Sequence, residues 1–140
     1  MISLDQANII ITAALDHGRT ANFKPLTVVV LDAGGHAIAL QRADGASTLR
    51  PEIATGKAAS ALALGVSSRA IGVMAADRPT FVAALAALAP KGIVPAAGGV
   101  IVVDAAGITI GAVGVTGDTS DNDEAAALAG ITAARLKAQG

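Results

Sequence analysis

LTVVVLDAGGHAIALQRA, residues 26–43, holds two β-type runs around a glycine turn. Leu26 to Leu31 is rich in β-branched residues, which favour strands. Asp32-Ala33-Gly34-Gly35 follows, and Gly34 and Gly35 supply the positive φ that a tight turn needs. The run from His36 to Ala43 then returns as a second strand. A hairpin here makes the sheet antiparallel from its first pair.

The same pattern recurs downstream. VIVVDAAGITIGAVGV, residues 100–115, reads as a second hairpin with its turn at Asp104 to Gly107. Gly111 and Gly114 fall inside its returning strand, where a glycine marks a bulge or a close backbone approach. Val94 to Gly99, VPAAGG, reads as a further short or irregular strand. Helices fill the rest. Ser3 with Gln6 three residues later is a capping-box pattern, and apolar residues at 4, 7, 10, 11, 14 and 15 predict a helix over 4–20. Pro51 and Glu52 suit the first turn of a second helix ending at Leu64 before Gly65. Ser67 or Ser68 starts a short helix through Met74, and Asp77-Arg78-Pro79 starts another that ends before Pro90. A last helix is predicted over 122–137, with Arg135 and Lys137 at its C-terminal end. The order is α-β-β-α-α-α-β-β-β-α. Strands in hairpins with helices packed on them give an α+β class and a single domain over 1–140.

Composition bounds the function. Hydrophobic residues make up 53% of the 140, and aromatics 1%. Net charge is −1, with no basic stripe and almost no stacking aromatics, so nucleic acid is not an expected partner. The absence of cysteine excludes disulfides, thiolate metal sites and cysteine nucleophiles. No apolar run has the length of a membrane span. The first residues read as a helix start instead of a signal peptide, so a cytoplasmic location is expected. The surplus of aliphatic side chains in a small domain points to a homo-oligomer.

Three stretches carry a resemblance. VVVLDAGGHAIALQRADGA, the Glu52–Ser60 helix with Lys57-Ala58, and IVPAAGGVIVVDAAGITIGAVGVTGDTSDNDEAAALAG occur in this order and together span nearly the whole chain. The sequence resembles the GlcG/HbpS-type family, which includes haem-binding-protein-like domains and domains like the C-terminal part of corrinoid adenosyltransferases. The resemblance implies a profilin-like three-layer α/β/α fold with a five-stranded antiparallel sheet. It also implies oligomers. Some relatives bind haem or touch corrinoid metabolism, and small-molecule enzymatic roles have been proposed for others.

The candidate site residues follow from chemistry. His17 and His36 are the only imidazoles and hence the axial candidates for haem; the alternatives are a helix-end histidine and an exposed hairpin histidine. No metal trio is apparent. Lys57, in the nearly uncharged run GKAASALAL, can hold a carboxylate, act as a base, or snorkel to water. Asp123 is a candidate general base or a helix cap, and Lys57 and Asp123 are the candidate catalytic residues. Arg42, Arg50 and Lys57 form a candidate carboxylate site. Gly98, Gly99 and Gly117 would let a ligand approach the backbone.

Three functions compete on this reading. The first is a small-ligand-binding protein taking haem or another tetrapyrrole. The second is a cofactor-independent hydrolase, hydratase or isomerase acting on a small organic acid. The third is a scaffold subunit.

Overall fold

A computed structural model describes all 140 residues. The elements run α1 (Leu4–Thr20), β1 (Thr27–Asp32), β2 (Ala37–Arg42), α2 (Arg50–Leu64), α3 (Ser68–Asp77), α4 (Pro79–Leu88), β3 (Gly99–Val103), β4 (Thr109–Thr116), α5 (Ser120–Ala133) and β5 (Lys137–Ala138). The five strands form one antiparallel sheet in the order β2-β1-β4-β3-β5.

The capping box is formed: Ser3 Oγ accepts from the Gln6 N–H, and the Gln6 side chain accepts from the Ser3 N–H. Both hairpin turns share one construction. Asp32 Oδ1 accepts from the N–H groups of Gly34 and His36, and Asp104 Oδ1 accepts from those of Ala106 and Ile108. Gly35 takes φ +84°, a value that disfavours any residue with a Cβ.

Alternation along the strands divides the core into two layers. Val28 and Val30 of β1 pack with Ile10, Ile11 and Ile131 from α1 and α5. Val29 and Leu31 face the opposite way, onto Ala54 and Ala58 of α2. The result is helices, sheet, helices: α1 and α5 below, α2 and α3 above, with α4 outside against α3. Alanine on α2 lets that helix approach closely. A Cβ at Gly114 of β4 would collide with the Ala54 carbonyl.

Two expectations need correction. Residues 94–98 are not a strand. Pro95 has no N–H to give a ladder, and the Ala96 N–H closes a tight turn onto Val94 O at 2.9 Å. The fifth strand comes instead from the C-terminal end. The last helix stops at Ala133, Arg135 adopts φ +59°, and Lys137–Ala138 pairs with β3. Arg135 and Lys137 therefore lie beyond the helix they were expected to finish. No single helix is long and apolar enough to cross a membrane.

Candidate functional site

Lys57 and Asp123, 66 residues apart in sequence, meet. Lys57 Nζ donates to Asp123 Oδ2 at 3.0 Å and to Val115 O at 3.0 Å. Their side chains are 4% and 2% exposed. Asp123 Oδ1 accepts from the Asp118 N–H at 2.9 Å, which anchors the loop before α5. Each charged group thus has its partners inside the protein, which is the condition for keeping charge in a dry interior. Both side chains are enclosed by neighbouring parts of the chain.

The candidate glycines surround this pair. Gly99 stands opposite Gly114 in the β3–β4 ladder, and Val115 donates its N–H to Gly98 O. A Cβ on Gly98 would meet Lys57 Nζ, and one on Gly99 the Lys57 carbonyl. Ser68 Oγ accepts from the Gly99 N–H at 2.7 Å. Gly117 packs on the backbone of Pro25 and Leu26. All three glycines are buried, and their open faces are occupied by neighbouring parts of the chain.

Arg50 and Arg42 lie elsewhere. Arg50 is the first residue of α2, two helical turns before Lys57, or roughly 10 Å at 1.5 Å per residue. Its guanidinium Nη1 donates to Thr116 Oγ1 at 2.8 Å. Arg42 ends the edge strand β2 and is exposed. The two arginines share the end of the sheet where β1 begins, and Lys57 is sealed off from both.

The histidines are also separated. His17, near the end of α1, sets its ring edge against Phe23 with centroids 5.6 Å apart and is half-buried. His36 follows the first hairpin turn, with a side chain 81% exposed. They lie at opposite ends of β1, whose six residues span roughly 20 Å. One chain therefore cannot bring both imidazoles to one metal. No group of three or more His, Cys, Asp or Glu residues is arranged to hold a metal ion.

His36 borders an open cleft of about 380 Å³ between the first hairpin turn, the second half of α2 and the segment after α4. Its wall is aliphatic, from Ala59, Leu62, Ala89 and Pro90. Lys91 stands across it and donates to Gly35 O. His36 Nδ1 lies 3.4 Å from Asp32 Oδ1. Hydrogen bonds from the His36 and Gly34 N–H groups, with the nearby imidazole, hold the Asp32 carboxyl below its usual range. The carboxylate draws Nδ1 toward the turn, while most of the ring lies in solvent. That arrangement suits a ligating imidazole. Sequence reasoning found His36 but missed Lys91 and the cleft, because the cleft's walls come from three separate segments.

The architecture has solved counterparts. A PduOC–haem complex matches with TM-score 0.86 at 22% identity, over 99% of this chain and 98% of that one, a likeness of fold. HbpS matches with TM-score 0.79 at 27% identity, over 93% and 87%. The Klebsiella pneumoniae protein ORFY, of the DUF336 family, matches with TM-score 0.84 at 26% identity, over 96% and 90%. No curated protein is significantly similar in sequence. The family model described as "Haem degrading protein HbpS-like" matches residues 2–132, so the chain belongs to the HbpS-like family.

Proposed function

We propose that this protein binds haem or a closely related tetrapyrrole as its small-molecule ligand. The observation that carries the reading is the family match over residues 2–132. HbpS, a relative with 27% identity, and the fold shared with PduOC in its haem complex agree with it.

The chain's residues fit the group at two places. On the His36 side there is space: an aliphatic wall, an outward imidazole, and Lys91 to meet a propionate. On the His17 side there is an aromatic wall, Phe23, with the cations Arg19 and Lys24 nearby in sequence. Either imidazole would supply an axial nitrogen, and the protein's part is to bind and orient the macrocycle. The redox and ligand chemistry belongs to the iron. Lys57 and Asp123 support the scaffold on this reading, because their charges are already satisfied.

Titration with hemin tests it. The expected result is a saturable shift of the Soret band, retained in one of His17→Ala and His36→Ala and lost in the other. A wild-type protein with no saturable shift, or two variants that both bind like wild type, would overturn haem as the ligand.

We also infer self-association through α4. This helix is uncharged from Thr80 to Leu88, buries only Val82, and leaves Phe81 and Leu88 in solvent at 41% and 80% exposure. A face of small aliphatic side chains on the outermost helix fits a second copy of itself in a two-fold dimer.

A further inference from the structure

A second cleft, of about 490 Å³, opens at the edge of the sheet where β5 pairs with the end of β3. That volume lies in the range of small-molecule sites, roughly 300–1,000 Å³. Val103, Ile110 and Leu136 line it with aliphatic surface, and Ile110 and Leu136 pack against the core layer of Ile10, Ile11 and Ile131. Arg135 and Lys137 stand on its exposed rim. None of the ion pairs in the molecule involves either of them. Asp104 also lines the cleft, but its Oδ1 is occupied by the Ala106 and Ile108 N–H groups of the hairpin turn. Two cations thus border an apolar floor with no acid of the chain paired to them.

The backbone at Arg135 is a second, independent observation. The Arg135 N–H reaches Thr132 O and the Leu136 N–H reaches Ile131 O, so α5 ends by reversing through one left-handed residue. That residue is Arg135, at φ +59°. α1 ends through Asn22 at φ +59° and α2 through Gly65 at φ +72°, residue types that take this conformation readily. An arginine there carries a steric cost that glycine avoids. The dipole of α5 favours a cation anywhere in its last turn, and Thr132 or Ala133 would offer a place for one without that cost. The chain instead holds its arginine in a strained conformation on the rim of the cleft, and such strain collects where ligands are clamped.

We propose that this cleft binds a short aliphatic carboxylate. Arg135 and Lys137 hold the acid group, and the hydrocarbon chain lies on Val103, Ile110 and Leu136. The Asp104 carboxylate beside them favours a single negative charge over a phosphate dianion. His36 precedes β2 at one edge of the sheet and this cleft adjoins β5 at the other, with β1, β4 and β3 between, so the site does not depend on haem binding.

Titration of the isotope-labelled full-length protein with sodium hexanoate tests the site by nuclear magnetic resonance, with sodium acetate and hexylammonium chloride at matched ionic strength as controls. Hexanoate should shift the Asp104, Ile110, Arg135 and Leu136 amide signals saturably. Acetate should bind more weakly by about ten-fold or more, because each methylene covered by the floor adds about four-fold, and hexylammonium should not bind. Arg135→Gly should weaken hexanoate binding by about ten-fold, the loss expected of a charge-assisted hydrogen bond. It should do so without lowering the melting temperature, since glycine takes φ +59° freely. An arginine with a structural role alone would leave the binding unmoved. Should Arg135→Gly fail to fold, Arg135→Asn also suits the left-handed region and should show the same loss. The proposal falls if hexanoate gives no saturable shift, if acetate or hexylammonium binds as tightly, or if the folded variant binds hexanoate like wild type.

Discussion

Lys57 Nζ and Asp123 Oδ2 sit 3.0 Å apart, with both side chains almost wholly out of water. The pair ties α2, on one face of the sheet, to the N-terminal turn of α5, which packs on the other. Because each charge was desolvated in order to meet its partner, the energy lies in breaking the pair, not in having it. Lys57→Met or Asp123→Asn alone should cost about 3–5 kcal/mol, since each strands a buried charge. The double variant should cost less than the two single losses added. The asparagine keeps an oxygen for the Asp118 N–H, but Val115 O still loses its side-chain partner, so the double variant should not recover wild-type stability. Urea denaturation in a double-mutant cycle checks this, and strictly additive losses would show that the two groups are uncoupled.

Acid should loosen the opposite side of the same loop. Asp118 accepts from Asn122 Nδ2 at 2.7 Å and from the Lys24 N–H at 2.8 Å. The Asn122 bond first, then the Lys24 bond, lower its pKa from 3.8 to about 2. A lowered carboxyl contributes stability that is fully present above its unfolded pKa and is lost as pH falls through the folded value. The Asp118 contribution should therefore be intact at neutral pH and fade between pH 3.8 and about 2. Asp32, lowered chiefly by the His36 N–H, fades in the same direction. Asp118→Asn should be less stable than wild type at pH 7 and show a flatter loss across that acid window. Thermal melts at stepped pH would expose the error if the variant tracked wild type in parallel down to pH 2.

The sequence was readable wherever a local rule decided the outcome. Ser3 and Gln6 announce the start of α1, and the Asp-x-x-Gly turns announce both hairpins. These are contacts between residues two to four apart. The C-terminal strand was unreadable for the converse reason. Lys137–Ala138 has no strand pattern of its own and becomes one because β3 offers an open edge. Residues 94–98 fail in the other direction: apolar and extended in appearance, they contain a proline and pack against Gly72 of α3. For the site, residue types singled out Lys57, Asp123, Arg50 and His36. Their grouping depended on which strand end each helix reaches. Only the fold shows that Lys57 spends its charge on Asp123 while Arg50 has no acid to meet.

Self-association through α4 is open to a direct test. Leu88 is 80% exposed on a helix whose other exposed residues are Pro79, Thr80, Phe81 and alanines. Burying one such leucine contributes about 1.5–3 kcal/mol. A two-fold interface buries it twice, so the loss per dimer should be about double that figure. Leu88→Glu puts two charges into the apolar contact and should convert the assembly to monomer. Ile9→Glu provides the control: Ile9 is 46% exposed on α1, on the other side of the sheet, and the change should leave the mass unaltered. Light scattering at matched concentrations reads both. A wild-type protein that is monomeric when concentrated, or a Leu88→Glu protein of undiminished mass, would assign the exposed face of α4 to something other than a second copy.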